Sequence, residues 1–418
     1  MIRHLVLCGL GPGHLRLLAY LAQQPARSHA DIGISLLTRQ RRYVSDAALL
    51  KTVGSPLPAD PRETLERFAH QTRTEAAQLE RMAQKGGVRW VDAVPQAIDP
   101  ANKTMLLDDG RTLRFDWLSV EPEAVQHRDQ IDQTVAGARA NGLFVRPREA
   151  FCKLWPQVQV LAAGKPLRFT LVLNLKASLP NGARPETQET TLPTPLQASP
   201  QALPPPAPDP VHLPFLRTSA AQATAHWASE KFALALAFAI HHAFKGSAVT
   251  LITGGAAIGE GMAPALQACV QAALKKRQIT VLPDTACAIA PGEVLLQSGA
   301  RLACDVPMVI YTPVLPDWLL RSGLALDAQG QLLTDRASRS SQPHIFVNVQ
   351  DTQASARQLF QGLRAVIAGR APAAGAVSVA QPLPSKNSVY RLDCGDGRSI
   401  VAWRNWATES WHLSTGHR

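Results

Sequence analysis

Apolar positions fall into two kinds of run along this chain: short continuous ones that suit strands buried on both faces, and longer ones with a helical period. Residues 4–9, HLVLCG, are of the first kind, and the stretch that follows to about residue 24 carries Leu15, Leu18, Leu21 and Ala22 on one helical face. A second apolar run, IGISLLT at 32–38, completes a βαβ unit of the length a parallel sheet with a right-handed crossover needs. Residues 60–85, rich in Glu, Arg, Gln and Ala, predict a helix, and VRWVDA at 88–93 predicts a strand. TMLLDDGRTLRFDWLSV at 104–120 predicts a hairpin that turns at Asp109-Gly110 and runs into a further strand.

Residues 192–214 hold nine prolines in 23 positions, so neither a helix nor a central strand passes through them. Beyond this linker or exposed loop, ASEKFALALAFAIHHAF (228–244) predicts an apolar helix and VTLIT (249–253) a strand. A helix over about 262–277 and the strand QITVLP (278–283) repeat the βαβ theme, so a second α/β unit begins here. ACAIAPGEVLLQSGARLACDVPMVIYTP (286–313) predicts a meander ending in a buried strand. Its GEVLLQSGARLACD echoes MLLDDGRTLRFD: strand, turn glycine, strand, then an acidic residue before an apolar strand. That is the mark of an internal repeat. Near the C-terminus, YRLDCGDGRSIVAWRNWATESWHL predicts a short β-hairpin carrying Trp403, Trp406 and Trp411.

Composition narrows the class. A chain of 418 residues suggests two or three domains, and 46% hydrophobic against 18% charged residues is a globular balance. No run reaches the roughly 18 apolar residues of a membrane span, and MIRHLVLCGLGPGH leads straight into the first strand, so a secretory signal is not expected and the cytoplasm is the default location. The net charge of +11 is dispersed, with its sharpest cluster at Arg39, Arg41 and Arg42, which favours a solvated basic surface over a specific nucleic-acid site. Six widely spaced cysteines, with no C-x-x-C, read as buried reduced thiols; any electron transfer therefore belongs to a bound cofactor. No nucleophile elbow, zinc-helix or P-loop pattern is present, and His241-His242 sit in an apolar helix without a third ligand, so neither a catalytic residue nor a metal site is assigned.

The candidate chemistry lies in the first turn. Gly9 permits a tight exit from the strand, Gly11 lets backbone approach a pyrophosphate, and the helix start offers free N–H groups and a positive dipole end. The third glycine of G-x-G-x-x-G would stand at 14, where this chain has His14, with Gly13 one place early. Dinucleotide binding and a plain strand-to-helix turn both remain open on this stretch alone.

Across nearly the whole chain the blocks resemble those of the FAD-dependent pyridine nucleotide-disulfide oxidoreductases, in particular the type II NADH dehydrogenase-like branch and its form fused to selenophosphate synthetase. LVLCGLGPGH (5–14) stands at the family's FAD-pyrophosphate turn, where a histidine at position 14 has parallels. DGRTLRFDWLSV (109–120) stands before its first crossover, and VRPREAF (145–151) leads toward its NAD domain. LLQSGARLACDVPMVIYTP (295–313), SGLALDAQGQLLTD (322–335) and HIFVNVQD (344–351) follow its closing run. The resemblance implies an α/β fold of two Rossmann-like three-layer domains of FAD/NAD(P)-binding type, the second inserted in the first, plus a short C-terminal β cap. The implied boundaries are 1–160, 161–300, 301–375 and 376–418, with the proline-rich linker inside the second segment. It also implies an enzyme that uses FAD and passes electrons from NAD(P)H to a quinone or other small-molecule acceptor. The cofactor-binding positions that follow are Gly9, Gly11, Pro12, Gly13, His14, Arg39 and Asp351. A role for the three tryptophans in packing ranks ahead of peripheral membrane contact.

Several positions depart from that pattern. Glu121-Pro122 replaces small residues after the strand at 115–120, beside the path of the cofactor. Val349, Gln350 and Asp351 replace the closing Gly-Asp, so Asp351 is a displaced substitute for the ribityl ligand. Thr38-Arg39 replaces the acidic ribose partner, and arginine there suits a 2′-phosphate or an exposed basic loop. In the second half Ser229 and Lys231 take the places of a glycine and a glutamate, and Gly254 and Gly255 read as turn residues. These departures motivate an alternative of another class, a non-catalytic homologue with eroded cofactor sites that binds a ligand or a protein.

Overall fold

The computed structural model describes residues 3–24, 31–56, 61–123, 125–163, 165–174, 218–260, 262–311, 315–326, 332–335, 337–348, 353–370, 377–378 and 389–411. Asp351, Val349, Gln350 and the proline-rich stretch at 192–214 lie outside them. The chain opens with β1 (Arg3–Cys8), α1 (Pro12–Leu21) and β2 (Ile32–Leu37). Helices α2 (Asp46–Val53) and α3 (Pro61–Lys85) lead to β3 (Val88–Val91), the meander β4 (Pro95–Asp99), β5 (Thr104–Leu107) and β6 (Thr112–Arg114), then β7 (Trp117–Val120). Next come α4 (Arg128–Thr134), α5 (Ala138–Asn141), β8 (Leu143–Phe144), α6 (Arg148–Ala162) and β9 (Arg168–Leu173). The second half continues with α7 (Thr218–Ala243), β10 (Ala248–Ile252), α8 (Pro264–Lys276), β11 (Thr280–Leu282), the meander β12 (Ala286–Ala290), β13 (Glu293–Leu296) and β14 (Arg301–Ala303), and β15 (Val306–Ile310). It closes with α9 (Asp317–Leu320), β16 (Thr334–Asp335), β17 (Ile345–Val347), α10 (Gln353–Ile367), β18 (Val377–Ser378), β19 (Tyr390–Asp393), β20 (Arg398–Trp403) and β21 (Trp406–Trp411).

Two five-stranded parallel sheets carry this order, β17-β7-β1-β2-β3 and β11-β10-β9-β15-β8. Central strands of such sheets are covered on both faces, which is why their sequences are continuous apolar runs; Leu5, Val6 and Leu7 of β1 are fully buried. All strands of the second sheet lie between residues 143 and 310, while the last strand of the first sheet returns at 345–347. The second Rossmann-like unit is thus inserted in the first. β15 belongs to the second sheet, past the boundary read at residue 300.

The two meanders match hydrogen bond for hydrogen bond. Gly110 and Gly299, with φ of 80° and 86°, close equivalent turns in which Leu107 N–H donates to Arg111 O and Leu296 N–H to Ala300 O. After each meander an aspartate returns to the sheet: His4 N–H donates to Asp116 Oδ2 at 2.7 Å and Arg168 N–H to Asp305 Oδ2 at 2.8 Å.

The C-terminal cap is a three-stranded antiparallel sheet, β19-β20-β21, and not the two-stranded hairpin expected from sequence. The run Cys394-Gly395-Asp396-Gly397 turns the chain once more, with both glycines at positive φ. Tyr390, Leu392, Ile400 and Ala402 join the core around α7, and Arg277 ties α8 to the cap through Asp396 at 2.7 Å and Glu409 at 2.5 Å. Cross-strand pairing places Trp403 opposite Trp406 on one face, and Trp411 opposite Arg398 on the other. All three tryptophans are exposed, so they neither fill the core nor form one continuous apolar patch.

Candidate functional site

The turn after β1 is where the sequence pointed. Helix α1 begins there with Gly11 as N-cap and Pro12 as its first residue. A helix start leaves its first N–H groups without partners inside the helix. Pro12 has none, and Leu15 N–H already donates to Gly11 O at 3.0 Å, so past the N-cap two donors remain in the first helical turn, Gly13 and His14. One side chain takes both. Gly13 N–H donates to Glu121 Oε1 at 2.9 Å and His14 N–H to Glu121 Oε2 at 2.5 Å. A third donor, Asn348 Nδ2 at the end of β17, reaches Oε1 at 2.7 Å. The carboxylate is 2% exposed and lies against the positive end of the helix dipole, where an anion is stabilised.

The glycines are explained by the same residue. At Gly9, with φ of 85°, an added Cβ would stand 2.1 Å from the Glu121 carbonyl oxygen. At Gly11 it would meet Glu121 Cδ at 2.7 Å, and at Gly13 both Glu121 Oε1 and Leu359 Cδ2 at 2.8 Å. The room that three missing side chains create is therefore filled from within the chain. His14, fully buried, braces the turn: Nδ1 lies 2.9 Å from Gly9 O and Nε2 2.7 Å from Ser119 Oγ on β7. Its Nδ1 also stands 3.6 Å from Glu121 Oε2.

Beside this seat is a cavity of about 60 Å³, lined by Gly11, Pro12, Gln40, Arg42, Glu121 and Arg148 among others. Sites that hold cofactors run to roughly 300–1,000 Å³, so this space is several-fold too small for a dinucleotide. Its far wall is cross-linked. Glu123 accepts from Gln40 Nε2 and, at 2.8 Å, from Arg148 N–H, and Arg148 Nε donates to Asp46 at 2.7 Å. Burial pushes the Glu123 carboxyl above its ordinary range despite those bonds. The residues present do not fit a dinucleotide's pyrophosphate: Glu121 takes the Gly13 and His14 donors and fills the space beside them.

The other expected positions sit apart from an open phosphate site. Arg39, more than half exposed at the end of β2, pairs with Asp108 at 2.6 Å and lies 3.9 Å from Asp92. Arg41 pairs with Asp92 at 2.5 Å and lies over the Trp90 ring. In the second half Gly254, Gly255 and Gly259 all have positive φ, as turn residues do. A second buried carboxylate closes this loop, with Gly259 N–H donating to Glu230 Oε1 of α7 at 2.5 Å. Burial raises the pKa of Glu230 and lowers that of Lys231, which lies over the Tyr390 ring. His241 is half-buried and His242 exposed at the end of α7, and no group of metal-ligating side chains occurs among the described residues. All six cysteines are free; Cys8, Cys152, Cys304 and Cys394 are buried, whereas Cys287 is exposed, unlike the buried thiols expected. No described helix is long and apolar enough to cross a membrane.

Sequence reasoning marked Glu121 as a departure but not its destination, and it missed Asn348, Ser119 and Glu230. Comparison with curated protein sequences finds no match. Residues 233–348 match the family model described as pyridine nucleotide-disulphide oxidoreductase. Among solved structures, the covalent putidaredoxin reductase–putidaredoxin complex is similar at 14% identity and a TM-score of 0.58, over 96% of this chain and 81% of that one. A NAD-dependent persulfide reductase from A. fulgidus is similar at 14% identity and 0.60, over 95% of this chain and 63% of that longer one. The sulfide:quinone oxidoreductase from Aquifex aeolicus is similar at 13% identity and 0.54, over 98% and 86%. At such identities the likeness is one of fold: the chain shares the two-sheet architecture of these structures, and the family match is confined to residues 233–348, from within α7 to just past β17.

Proposed function

We propose that this chain is a non-catalytic binding module built on the flavoprotein oxidoreductase frame, in which the flavin position is closed by the protein itself. The observation that carries this reading is the buried Glu121 carboxylate, bonded to the Gly13 and His14 N–H groups at the start of α1 and to Asn348. The cross-linked wall of Gln40, Glu123, Arg148 and Asp46 adds to it, because a flavin would have to part these contacts as well. On this reading Gly9, Gly11, Pro12, Gly13 and His14 shape a seat for Glu121, and Arg39 belongs to a surface ion-pair network. The module works in the cytoplasm and takes a protein or small-molecule partner.

A second reading is favoured by the family match over 233–348 and by the shared fold: an FAD-dependent NAD(P)H oxidoreductase acting on a quinone or other small acceptor. It requires the Glu121 side chain to leave its seat when cofactor arrives, and it returns Gly9, Gly11, Pro12, Gly13, His14, Arg39 and Asp351 to the cofactor. The two readings separate on the absorbance of the purified protein incubated with FAD and then desalted. The binding module is colourless, without the flavin band near about 450 nm that a bound isoalloxazine gives. A yellow protein bleached anaerobically by NADH or NADPH is the oxidoreductase.

A further inference from the structure

The frame implies a pyrophosphate at the first turn, and the residues there exclude one. We propose that at the pyrophosphate seat itself, as distinct from the cross-linked wall beside it, a single side chain causes this exclusion: the Glu121 carboxylate stands in for the anion, and the seat beneath it is otherwise an oxyanion site for a phosphate or pyrophosphate group. The inference rests on the closed-seat reading above and goes further, since it assigns the closure to one residue and names the ligand class that residue replaces.

The way the helix is capped supports this. A helix N-terminus is usually capped by its own local Ser, Thr, Asp or Asn. Here the N-cap is Gly11, which supplies no side-chain cap, and the acceptor arrives from 108 and 107 residues away in sequence to meet Gly13 and His14. The turn contributes donors and empty space, and the oxygens come from elsewhere. The donors converge from two separate elements, the start of α1 and the end of β17, on a group with one negative charge and two acceptor oxygens. A phosphate oxygen pair presents the same acceptors to the same N–H groups. Glycine at 9 and 11 gives clearance toward Glu121 that persists when its side chain is shortened, and glycine at 13 gives clearance toward both Glu121 and Leu359. Truncating Glu121 to Ala leaves two adjacent N–H groups, the Asn348 amide and the helix dipole facing the vacated space.

The test is thermal unfolding of the full chain in inorganic pyrophosphate, compared with potassium chloride at matched ionic strength. Wild type is expected to show no difference between the two salts. Glu121→Ala and Glu121→Ser are expected to melt higher in pyrophosphate, with a dose-dependent shift as ligand binds the folded state. Glu121→Gln, which refills the seat, stays flat. Should Glu121→Ala fail to fold in chloride, recovery of soluble protein on refolding in pyrophosphate is the expected rescue, and equal losses in both salts overturn the inference. Flat responses from folded Ala and Ser variants also overturn it, as does a Gln response equal to that of Ala, which would put the binding elsewhere. A wild-type response equal to that of the Ala and Ser variants likewise puts the binding elsewhere and overturns this inference. Retention of FAD by wild type after desalting is what sinks the closed-seat reading itself, whereas flat wild type with flat variants sinks only this inference.

Discussion

Replacing Glu121 with alanine tests the seat as a structural element. The substitution removes the acceptor for Gly13 N–H at 2.9 Å, His14 N–H at 2.5 Å and Asn348 Nδ2 at 2.7 Å, all in a site where the carboxylate is 2% exposed. Leaving a buried donor without a partner costs about 1–3 kcal/mol, which for the Gly13 and His14 N–H groups gives a gross loss of roughly 2–6 kcal/mol. Relief from burying a carboxylate offsets part of this, for an expected net loss of about 3 kcal/mol. Glu121→Gln keeps the shape and one acceptor oxygen but turns an NH₂ group toward a backbone N–H. Its expected loss is about 2 kcal/mol, one orphaned donor's worth. Urea unfolding followed by far-UV circular dichroism measures both losses. Amide hydrogen exchange at Gly13 and His14 reports the local event, with about 100-fold or greater acceleration in the alanine variant at roughly 1.4 kcal/mol per tenfold. A loss below about 1 kcal/mol, with protection at both amides unchanged, would refute the bonding scheme.

Three further outcomes follow from other parts of the molecule. Gly9→Ala should prevent folding, since its Cβ would stand 2.1 Å from a backbone oxygen, whereas Gly110→Ala, whose φ is also positive but whose Cβ meets nothing within 4 Å, should cost only about 1–2 kcal/mol; equal costs in thermal melts would contradict the close approach. The Arg168 guanidinium beside Asp305 holds that carboxyl down at about 2, below the unfolded value near about 3.9. Its stabilising contribution is therefore complete above pH ~4 and lost as pH falls toward 2, and Asp305→Asn should flatten the acid limb of a stability–pH curve in that window. Burial pushes the Cys8 and Cys394 thiols up to about 12 and Cys152 to about 11, so brief alkylation of native protein at mildly alkaline pH should label the exposed Cys287 first and spare those three, as read by peptide mass spectrometry.

Much of the frame was legible because it is local. Continuous apolar runs announced the parallel strands, and the echo between 104–116 and 293–305 holds down to Asp116 and Asp305, each clamping the central strand of its own sheet. The site was legible only in part because its decisive contact is not local. Residue type alone marked Glu121 as out of place, yet nothing in the sequence tells that its carboxylate folds back onto a turn more than 100 residues earlier. Asn348 escaped attention for the same reason: the pattern there was read for a missing Gly-Asp, and its partner is Glu121. Arg39 suited a 2′-phosphate until the fold brought Asp92 and Asp108, from other segments, to its guanidinium. The extra cap strand was missed because Gly395 and Gly397 were not read as the second turn their positive φ values make.

The most direct test of the closed seat is a calorimetric titration of FAD into the wild-type full chain, with the Glu121→Ala variant titrated in parallel. A closed seat predicts no saturable heat from wild type and no flavin retained after desalting. Saturable, near-stoichiometric binding by wild type, giving a yellow protein that NADH or NADPH bleaches, would contradict it and establish the oxidoreductase instead.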